Sequence, residues 1–363
     1  MASRCIAHLD LDAFYVSVEL ARRPKLRGLP VVVAGRSPRA VVTTASYEAR
    51  RFGIFSATPA ARARRLCPEA VFVEPDFPAY CDRSREVMAI LREEIDRVEP
   101  VGLDEAYLDL SDLERPGTAA RRLKATVRER TGLVCSIGVG PNKLVAKVAS
   151  DADKPDGFLS LSAADARRRF GGEPPGLLPG IGPKTAARLA SLRIDTLDRL
   201  AAASEADLSS WFGPRLGRAL GRLARFEDDR ALELARTVKS ESRETTFQTD
   251  LRGVPALLPA LEQLGRELCE RLRAQGQAGR TVGLKVRLDD FSTHTRARTL
   301  PAATNDAGVV GSVAGELLRR FDPPRPVRLL GVRVAGLDAN GAPGSQAAPS
   351  NCGQLELSVG ELG

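Results

Sequence analysis

The chain reads as an α+β protein of several domains, and three observations carry that reading. Short runs of apolar, β-branched residues bounded by Gly or Pro, such as Val31-Val32-Val33, alternate with longer stretches whose apolar residues recur every three or four positions. Composition shifts at about Phe170, where Gly171-Gly172-Glu173-Pro174-Pro175-Gly176 reads as a connection, and again over the charged stretch from Arg236 to Glu244. A chain of 363 residues with 43% hydrophobic content is long enough to bury two or more cores.

Taken in order, residues 5–12 form a strand, and Ala13 to Leu20 begin a helix that Pro24 and Gly28 delimit. Residues 30–34 and 40–44 read as buried strands. Residues 47–52 and 58–66 alternate Arg with Ala in helical fashion, and Pro68 closes that basic subregion. From Asp82 to Val98 a helical pattern puts Val87, Ile90, Leu91 and Ile95 on one face, leading into a strand that contains Asp104 and Glu105. A helix at 121–130, a strand at 133–140 and a helix at 142–150 follow, an order explained by a sheet with helices packed against it. Short helices run to about Leu234. Residues 236–243 read as an exposed linker. After them come a strand at 246–251, a helix at 255–275, a strand at 281–288, a helix at 309–321 and a strand at 327–335, a compact α+β unit. From Leu337 on, Gly, Ala, Pro, Ser and Asn dominate without Lys or Arg, the composition of a disordered tail.

Charge narrows the partner. A net charge of +8 and a pI near 9.4 favour a polyanion. The six cysteines (Cys5, Cys67, Cys81, Cys135, Cys269, Cys352) show no C-x-x-C spacing, and His8 and His294 are the two histidines, so zinc and disulfide chemistry are disfavoured. There is no apolar run of signal-peptide type and no uncharged segment able to cross a bilayer, so a soluble, cytoplasmic protein with no membrane contact is expected.

Chemistry concentrates in acidic side chains that interrupt apolar strands: Asp10 in Ile6-Ala7-His8-Leu9-Asp10-Leu11-Asp12, and Asp104-Glu105 in the run from Val101 to Asp109. Carboxylates near a sheet interior need a compensating partner, and hard oxygen ligands suit Mg2+. Asp10 and Asp12 share a face in a regular strand, whereas Asp104 and Glu105 do not, so the pair is expected at a turn, with Gly102 at the bend. From spacing alone, a metal site and a solvated hairpin of charges both stay open.

The neighbouring residues add a resemblance. Asp10-Leu11-Asp12-Ala13-Phe14-Tyr15-Val16-Ser17-Val18-Glu19 resembles the signature of the Y-family, or translesion, DNA polymerases. Four more blocks agree in order: Ser46 to Ile54, Gly102 to Asp109, Ser136 to Lys143 running on to Asp151 to Gly157, and Leu178 to Lys184. The match covers roughly residues 5–335 and is most similar to the bacterial DNA polymerase IV type. It implies a right-hand fold: a palm (1–20 and 75–168), small fingers (21–74), a helical thumb with a helix-hairpin-helix (169–235) and, after the linker, a little finger (244–336). It also implies template-directed, low-fidelity addition of deoxynucleotides to a primer across damaged DNA, by one monomeric chain acting on primer-template DNA and deoxynucleoside triphosphates.

Residue by residue, the resemblance makes Asp10, Asp104 and Glu105 catalytic ligands of two Mg2+ ions, with Mn2+ as a substitute and the Leu11 carbonyl completing the shell. Ala13 and Phe14 then offer backbone N–H groups to the triphosphate at a helix start. Tyr15 is the steric gate under the incoming sugar, and Tyr47, Arg50 and Lys154 match triphosphate-binding positions. Phe55, Ser56, Ala57 and Thr58 match the pocket over the nascent base pair. Gly180, Gly182 and Lys184 are expected at a DNA phosphate. Lys239, Ser240 and Arg243 fit the family's Lys-Ser-x-Ser-x-Glu-x-Thr-Phe strand, and Lys285 and Arg287, two apart, are expected to face a phosphate backbone together.

Two positions depart from the family. Gly102 stands where many members carry Ser, which bears on primer-end contacts, and Phe226 stands where the thumb usually has Gly, which is expected only to change a turn. In the tail, Gln354-Leu355-Glu356-Leu357 resembles a sliding-clamp-binding peptide but has Ser358 in place of the aromatic expected next, so clamp docking and chance similarity both stay open. Rival readings are a nucleotide cyclase, which lacks the helix-hairpin-helix and the C-terminal domain, and a catalytically inactive relative acting as a DNA-binding accessory protein.

Overall fold

The computed structural model describes residues 4–235 and 237–338. The chain opens with β1 (Ile6–Leu11), α1 (Phe14–Arg22), β2 (Val31–Ala34), β3 (Val42–Ala45), α2 (Tyr47–Arg50), α3 (Ala60–Leu66), β4 (Val71–Val73) and α4 (Phe77–Glu94). Then come β5 (Val98–Pro100), β6 (Glu105–Asp109), α5 (Pro116–Thr131), β7 (Cys135–Gly140), α6 (Lys143–Ala152), β8 (Phe158–Ser160) and α7 (Ala163–Phe170). Four helices follow: α8 (Pro183–Ser191), α9 (Leu197–Ala202), α10 (Glu205–Phe212) and α11 (Pro214–Ala224). The last elements are β9 (Ser240–Leu251), α12 (Val254–Ala274), β10 (Gly279–Leu288), β11 (Thr293–Thr304), α13 (Ala307–Phe321) and β12 (Val327–Leu337). They form two compact units. Among the described residues, one joins 4–27 to 79–235 and the other joins 28–78 to 237–338.

The first unit is built on a five-stranded sheet in the order β5-β6-β1-β7-β8. Its middle strand β1 is buried at every position but Asp10, which explains why it reads as an apolar run interrupted by a carboxylate. Helix α6 lies against β1 and β7, and glycine sets how closely. A Cβ on Gly138 of β7 would stand 2.1 Å from the Ala146 carbonyl oxygen and 2.2 Å from Ser150 N, both backbone atoms of α6. The other side of α6, with Leu144, Val145 and Val148, shares a core with Leu178, Ile181, Leu189, Leu197, Leu200, Leu208 and Leu220 of the helical region. Phe226 closes that core. It is 1% exposed, sits at φ +57° and accepts a hydrogen bond from Asn142 Nδ2 at 2.9 Å, so it does more than change a turn.

The second unit contains a small sheet in the order β3-β2-β4, whose core gathers Val32, Ala45, Ala49, Ile54 and Ala63. It also contains a four-stranded antiparallel sheet in the order β11-β10-β12-β9, with α12 and α13 on one face over Val282, Leu284, Val286, Leu288, Leu330, Val332 and Val334. Within this unit Arg39 joins the two parts, its Nη1 donating to the Phe247 carbonyl at 3.0 Å and to Asp250 Oδ1 at 2.5 Å.

The structure corrects several expectations. Residues 240–243, read from composition as part of a linker although the family motif implies a strand, are the start of β9 and pair with β12, Ser240 opposite Ala335 and Arg243 opposite Val332. An edge strand of alternating Ser, Glu and Arg carries no apolar alternation to reveal it. Strand β11 is missed for the same reason, being exposed along most of its length. β4, β8 and α7 are too short to show a period. Leu337, read as the first tail residue, ends β12, and Gln354 to Leu357 lie outside the described residues. Among the described residues Cys5, Cys67, Cys135 and Cys269 are free thiols. Among the described residues no helix is long and apolar enough to cross a membrane.

Candidate active site

The register of β1 assembles the site. It sets Asp10 opposite Glu105 on β6 and Ser136 on β7, and His8 opposite Tyr107 and Gly138. Positions two apart share a face, and His8 and Asp10 both meet side chains of α6. Lys147 Nζ lies 3.1 Å from Asp10 Oδ2, 2.9 Å from Glu105 Oε2 and 3.5 Å from Asp151 Oδ2. Lys154 Nζ lies 2.6 Å from Asp10 Oδ1 and 2.8 Å from Asp151 Oδ1. Two ammonium groups therefore compensate carboxylates that a sheet interior would otherwise penalise.

The acids are tuned apart. His8 Nε2 lies 3.2 Å from Glu105 Oε2, and this bond, with Lys147 beside it, holds the Glu105 carboxyl down at about 2. Burial, and then the charges of Asp10 and Glu105, push Asp104 up to about 6. Burial also lowers His8, keeping its ring neutral. A cluster with one acid held ionised and another held near neutrality is one where added positive charge lowers the free energy.

The expected trio of Asp10, Asp104 and Glu105 is assembled in part. The side chains whose ligand atoms lie within 4.8 Å of one another are His8, Asp10 and Glu105. Asp104 falls outside that set because it precedes β6 and does not follow the strand's alternation. Its carbonyl accepts from Leu11 N at 2.8 Å, and its charge acts on Tyr15. The hard oxygens of Asp10, Asp104 and Glu105 nonetheless fit a divalent cation of the Mg2+ class. Gly102 does not take a positive φ, so the bend itself does not demand glycine, contrary to expectation. It provides room: a Cβ there would stand 3.3 Å from Asp104 Oδ1 and 3.6 Å from Glu105 Cγ.

Asp12 does not continue the strand face of Asp10, because β1 ends at Leu11. It is 4% exposed and accepts from Ser136 Oγ at 3.0 Å and from Asp156 N at 2.8 Å. Asp12 thus ties down the loop that carries Lys154. Ala13, at φ 45° and ψ 46°, turns the chain into α1 without a side-chain cap, and puts Phe14 at the helix's first position. Phe14 is buried, as a core aromatic should be. The Tyr15 ring packs against Phe14 at 5.3 Å and against Tyr80 at 4.7 Å, and burial followed by the Asp104 charge raises its hydroxyl. Tyr80 in turn donates to Glu19 Oε1 at 2.8 Å.

Other predicted residues lie elsewhere in the fold. In the second unit, Ser46 caps α2, and Arg50 stacks 4.5 Å over the Tyr47 ring while its Nε donates to the Ala45 carbonyl at 3.0 Å. In the first unit, Gly180 takes φ +92° and Gly182 precedes α8; a Cβ on either would meet nothing within 4 Å, and Lys184 is exposed beside them. On the four-stranded sheet, Lys285 and Arg287 do share the face opposite the helices. There Lys285 Nζ meets Glu244 Oε2 at 2.7 Å and Arg287 Nε donates to Thr293 Oγ1 at 3.0 Å. Ser240 joins that face and receives Arg333 at 2.9 Å, while Lys239 is exposed just ahead of it. Arg243 does not join them: it is opposite Val332, on the helix-facing side. Gly283 and Gly331 leave the open face concave, with a volume of 620 Å³.

Residues 9–151 match the family model described as impB/mucB/samB, and residues 238–348 match the C-terminal domain of the same family. The chain belongs to this family. Residues 176–228, which contain the Gly180–Lys184 turn, match a model described as the DNA polymerase-iota thumb domain. Curated relatives include DNA polymerase IV of Methanoculleus marisnigri, 43% identical over 93% of this chain and 95% of that one. The same name is carried by proteins of Streptomyces coelicolor, 43% identical over 92% and 71%, and Alkalilimnicola ehrlichii, 43% identical over 93% and 96%. A solved Y-family DNA polymerase chimera superposes with a TM-score of 0.84 at 27% identity, covering 92% of this chain and 99% of the other. The impB/mucB/samB chain described here is thus a Y-family member of the DNA polymerase IV type. Sequence reasoning missed His8, Lys147, Tyr80 and Arg333, each of which resembles an ordinary core or surface residue until its partners are known.

Proposed function

We infer that this protein is a template-directed DNA polymerase that extends a primer 3′ end with deoxynucleotides and works across damaged templates at low fidelity. The observation that carries the reading is the pairing of Asp10 with Glu105 in one register, Asp104 adjoining, just ahead of a helix start that bears Tyr15. Two divalent cations held by Asp10, Asp104, Glu105 and the Leu11 carbonyl, Mg2+ or in its place Mn2+, would supply activation of the primer hydroxyl and neutralise charge at the triphosphate. The protein's own groups do the rest. The N–H groups of Ala13 and Phe14 bind triphosphate oxygens and Lys154 adds a point charge, while Tyr47 and Arg50 have the hydroxyl donor and guanidinium fork that the family resemblance assigns to the triphosphate. Lys154 exchanges its bond to Asp10 for one to phosphate. Tyr15, wedged by Phe14 and Tyr80, has no space to yield to a 2′-hydroxyl. Gly180, Gly182 and Lys184 hold one stretch of DNA backbone, and Lys239, Ser240, Lys285, Arg287 and Arg333 another, without reading sequence.

One chain carries all these parts, which supports a monomer, and a DNA substrate supports a cytoplasmic location. The inactive-relative reading has no observation in its favour, since every predicted ligand is retained. The deciding test is primer extension on undamaged and abasic templates with Mg2+. Wild type should extend both and Asp104→Ala neither; equal incorporation by the two proteins refutes the assignment.

A further inference from the structure

The mechanism above leaves His8 without a task, yet its surroundings are too specific for a core filler. The ring is 0% exposed in the middle of the central strand, where an apolar residue would need no polar partners. Each nitrogen has one: Nδ1 is 2.8 Å from Ser150 Oγ, and Nε2 is 3.2 Å from Glu105 Oε2. A neutral ring meets both if Nε2–H donates to the carboxylate while Nδ1 accepts from the Ser150 hydroxyl, which gives its one proton to the ring in preference to the Lys147 carbonyl, also 2.8 Å from Oγ. A third side is closed by Tyr107, edge-on at 4.7 Å. Ser150 reaches the ring because α6 descends onto Gly138, the residue opposite His8 on β7.

We propose that His8 is a positioning residue of the metal site: through Nε2–H it fixes the Glu105 carboxylate in its ligating orientation before a cation arrives, and Ser150 fixes the tautomer that lets it do so. Lys147 also touches Glu105 Oε2, but it divides its ammonium among Asp10, Glu105 and Asp151 at the end of a flexible stem. The ring has no such freedom. Partners of this kind typically govern metal affinity by 10- to 100-fold. The proposal rests on Glu105 being a metal ligand.

The test is Mn2+ binding to the full chain without substrate, followed by the electron paramagnetic resonance of free Mn2+, with the thermal midpoint of each variant recorded. His8→Phe, which keeps a ring but no donor, should weaken binding by roughly tenfold. His8→Gln, which returns an Nε2 donor, should recover most of it, and Ser150→Ala should fall between. In primer extension, His8→Phe should need more Mg2+ for half-maximal rate yet approach the wild-type kcat at saturation. Wild-type Mn2+ affinity in a folded His8→Phe overturns the proposal, as does a His8→Gln no better than His8→Phe. Should His8→Phe fail to fold, wild-type affinity in Ser150→Ala is the refuting result. Glu105→Ala separates the two levels: if it binds Mn2+ as wild type does, the ligand assignment itself fails, whereas loss there without loss in His8→Phe removes only the role of His8.

Discussion

Replacing Gly138 with Ala should damage stability and catalysis together, through one displacement. The added methyl would stand 2.1 and 2.2 Å from backbone atoms of α6, with a third backbone atom, Ala149 C, at 2.8 Å. Because none of these is a flexible side chain, the helix itself must retreat, by roughly 1 Å to regain ordinary contact. Overpacking of this kind costs about 1–3 kcal/mol, and the strand's gain from losing a glycine offsets only about 0.5–1 kcal/mol. The net loss should be about 1 kcal/mol. The retreat also carries Ser150 away from His8 and Lys147 away from Asp10 and Glu105, and a misplacement of about 1 Å at a catalytic centre lowers rate by about 100-fold. Thermal unfolding and single-nucleotide incorporation measure the two effects. Gly117→Ala is the control, since a Cβ there meets nothing within 4 Å and lies in α5, where Ala should stabilise by about 0.5–1 kcal/mol. A Gly138→Ala protein that melts and extends primers like wild type refutes the idea that glycine sets the helix height.

Three other outcomes follow from the geometry. Burial and neighbouring acids raise Asp104 to about 6, so without added metal the folded state holds a proton the unfolded chain releases. Stability should therefore fall as pH rises from about 4 to 6, by on the order of 3 kcal/mol, and both Asp104→Asn and added Mg2+ should flatten that slope in melts across the window. Tyr15→Ala should admit ribonucleotides, read as the ratio of ribonucleotide to deoxynucleotide incorporation; unchanged sugar discrimination removes its gate role. Phe226→Gly relieves a left-handed backbone strain of about 1–2 kcal/mol but empties a buried ring site worth about 3–5 kcal/mol, so a net loss of about 1–4 kcal/mol is expected in urea unfolding, and a stabilised variant contradicts it.

The carboxylates drew notice because an acid inside an apolar strand is anomalous on its face, and Tyr15, Arg50 and Lys154 were singled out only by their place in ordered motifs. His8 was not: one histidine in an apolar strand reads as core until Ser150 and Glu105, 142 and 97 residues away, are known to meet it. Lys147 looks like the polar face of an amphipathic helix. The period of two placed Lys285 and Arg287 on one face, whereas the face of Arg243, singled out only by its motif, depends on a register with β12 that no local pattern reveals. Asp104 escaped the strand rule because it lies one residue before β6.

The division into two units, each made of discontinuous stretches, bears on how the protein is made. Residues 28–78 belong with a partner stretch that begins at residue 237, roughly 160 residues later, a wait of roughly 10–30 s at ordinary translation speed. Throughout that wait Arg39 has neither Phe247 nor Asp250 to bind, and β2, β3 and β4 depend on their own small core around Val32, Ala45 and Ile54. The sheet that bears Asp10, Asp104 and Glu105 is complete well before then, since all five of its strands lie within the first 160 residues. A nascent chain should therefore assemble the sheet that carries its acidic cluster before the four-stranded sheet has been made.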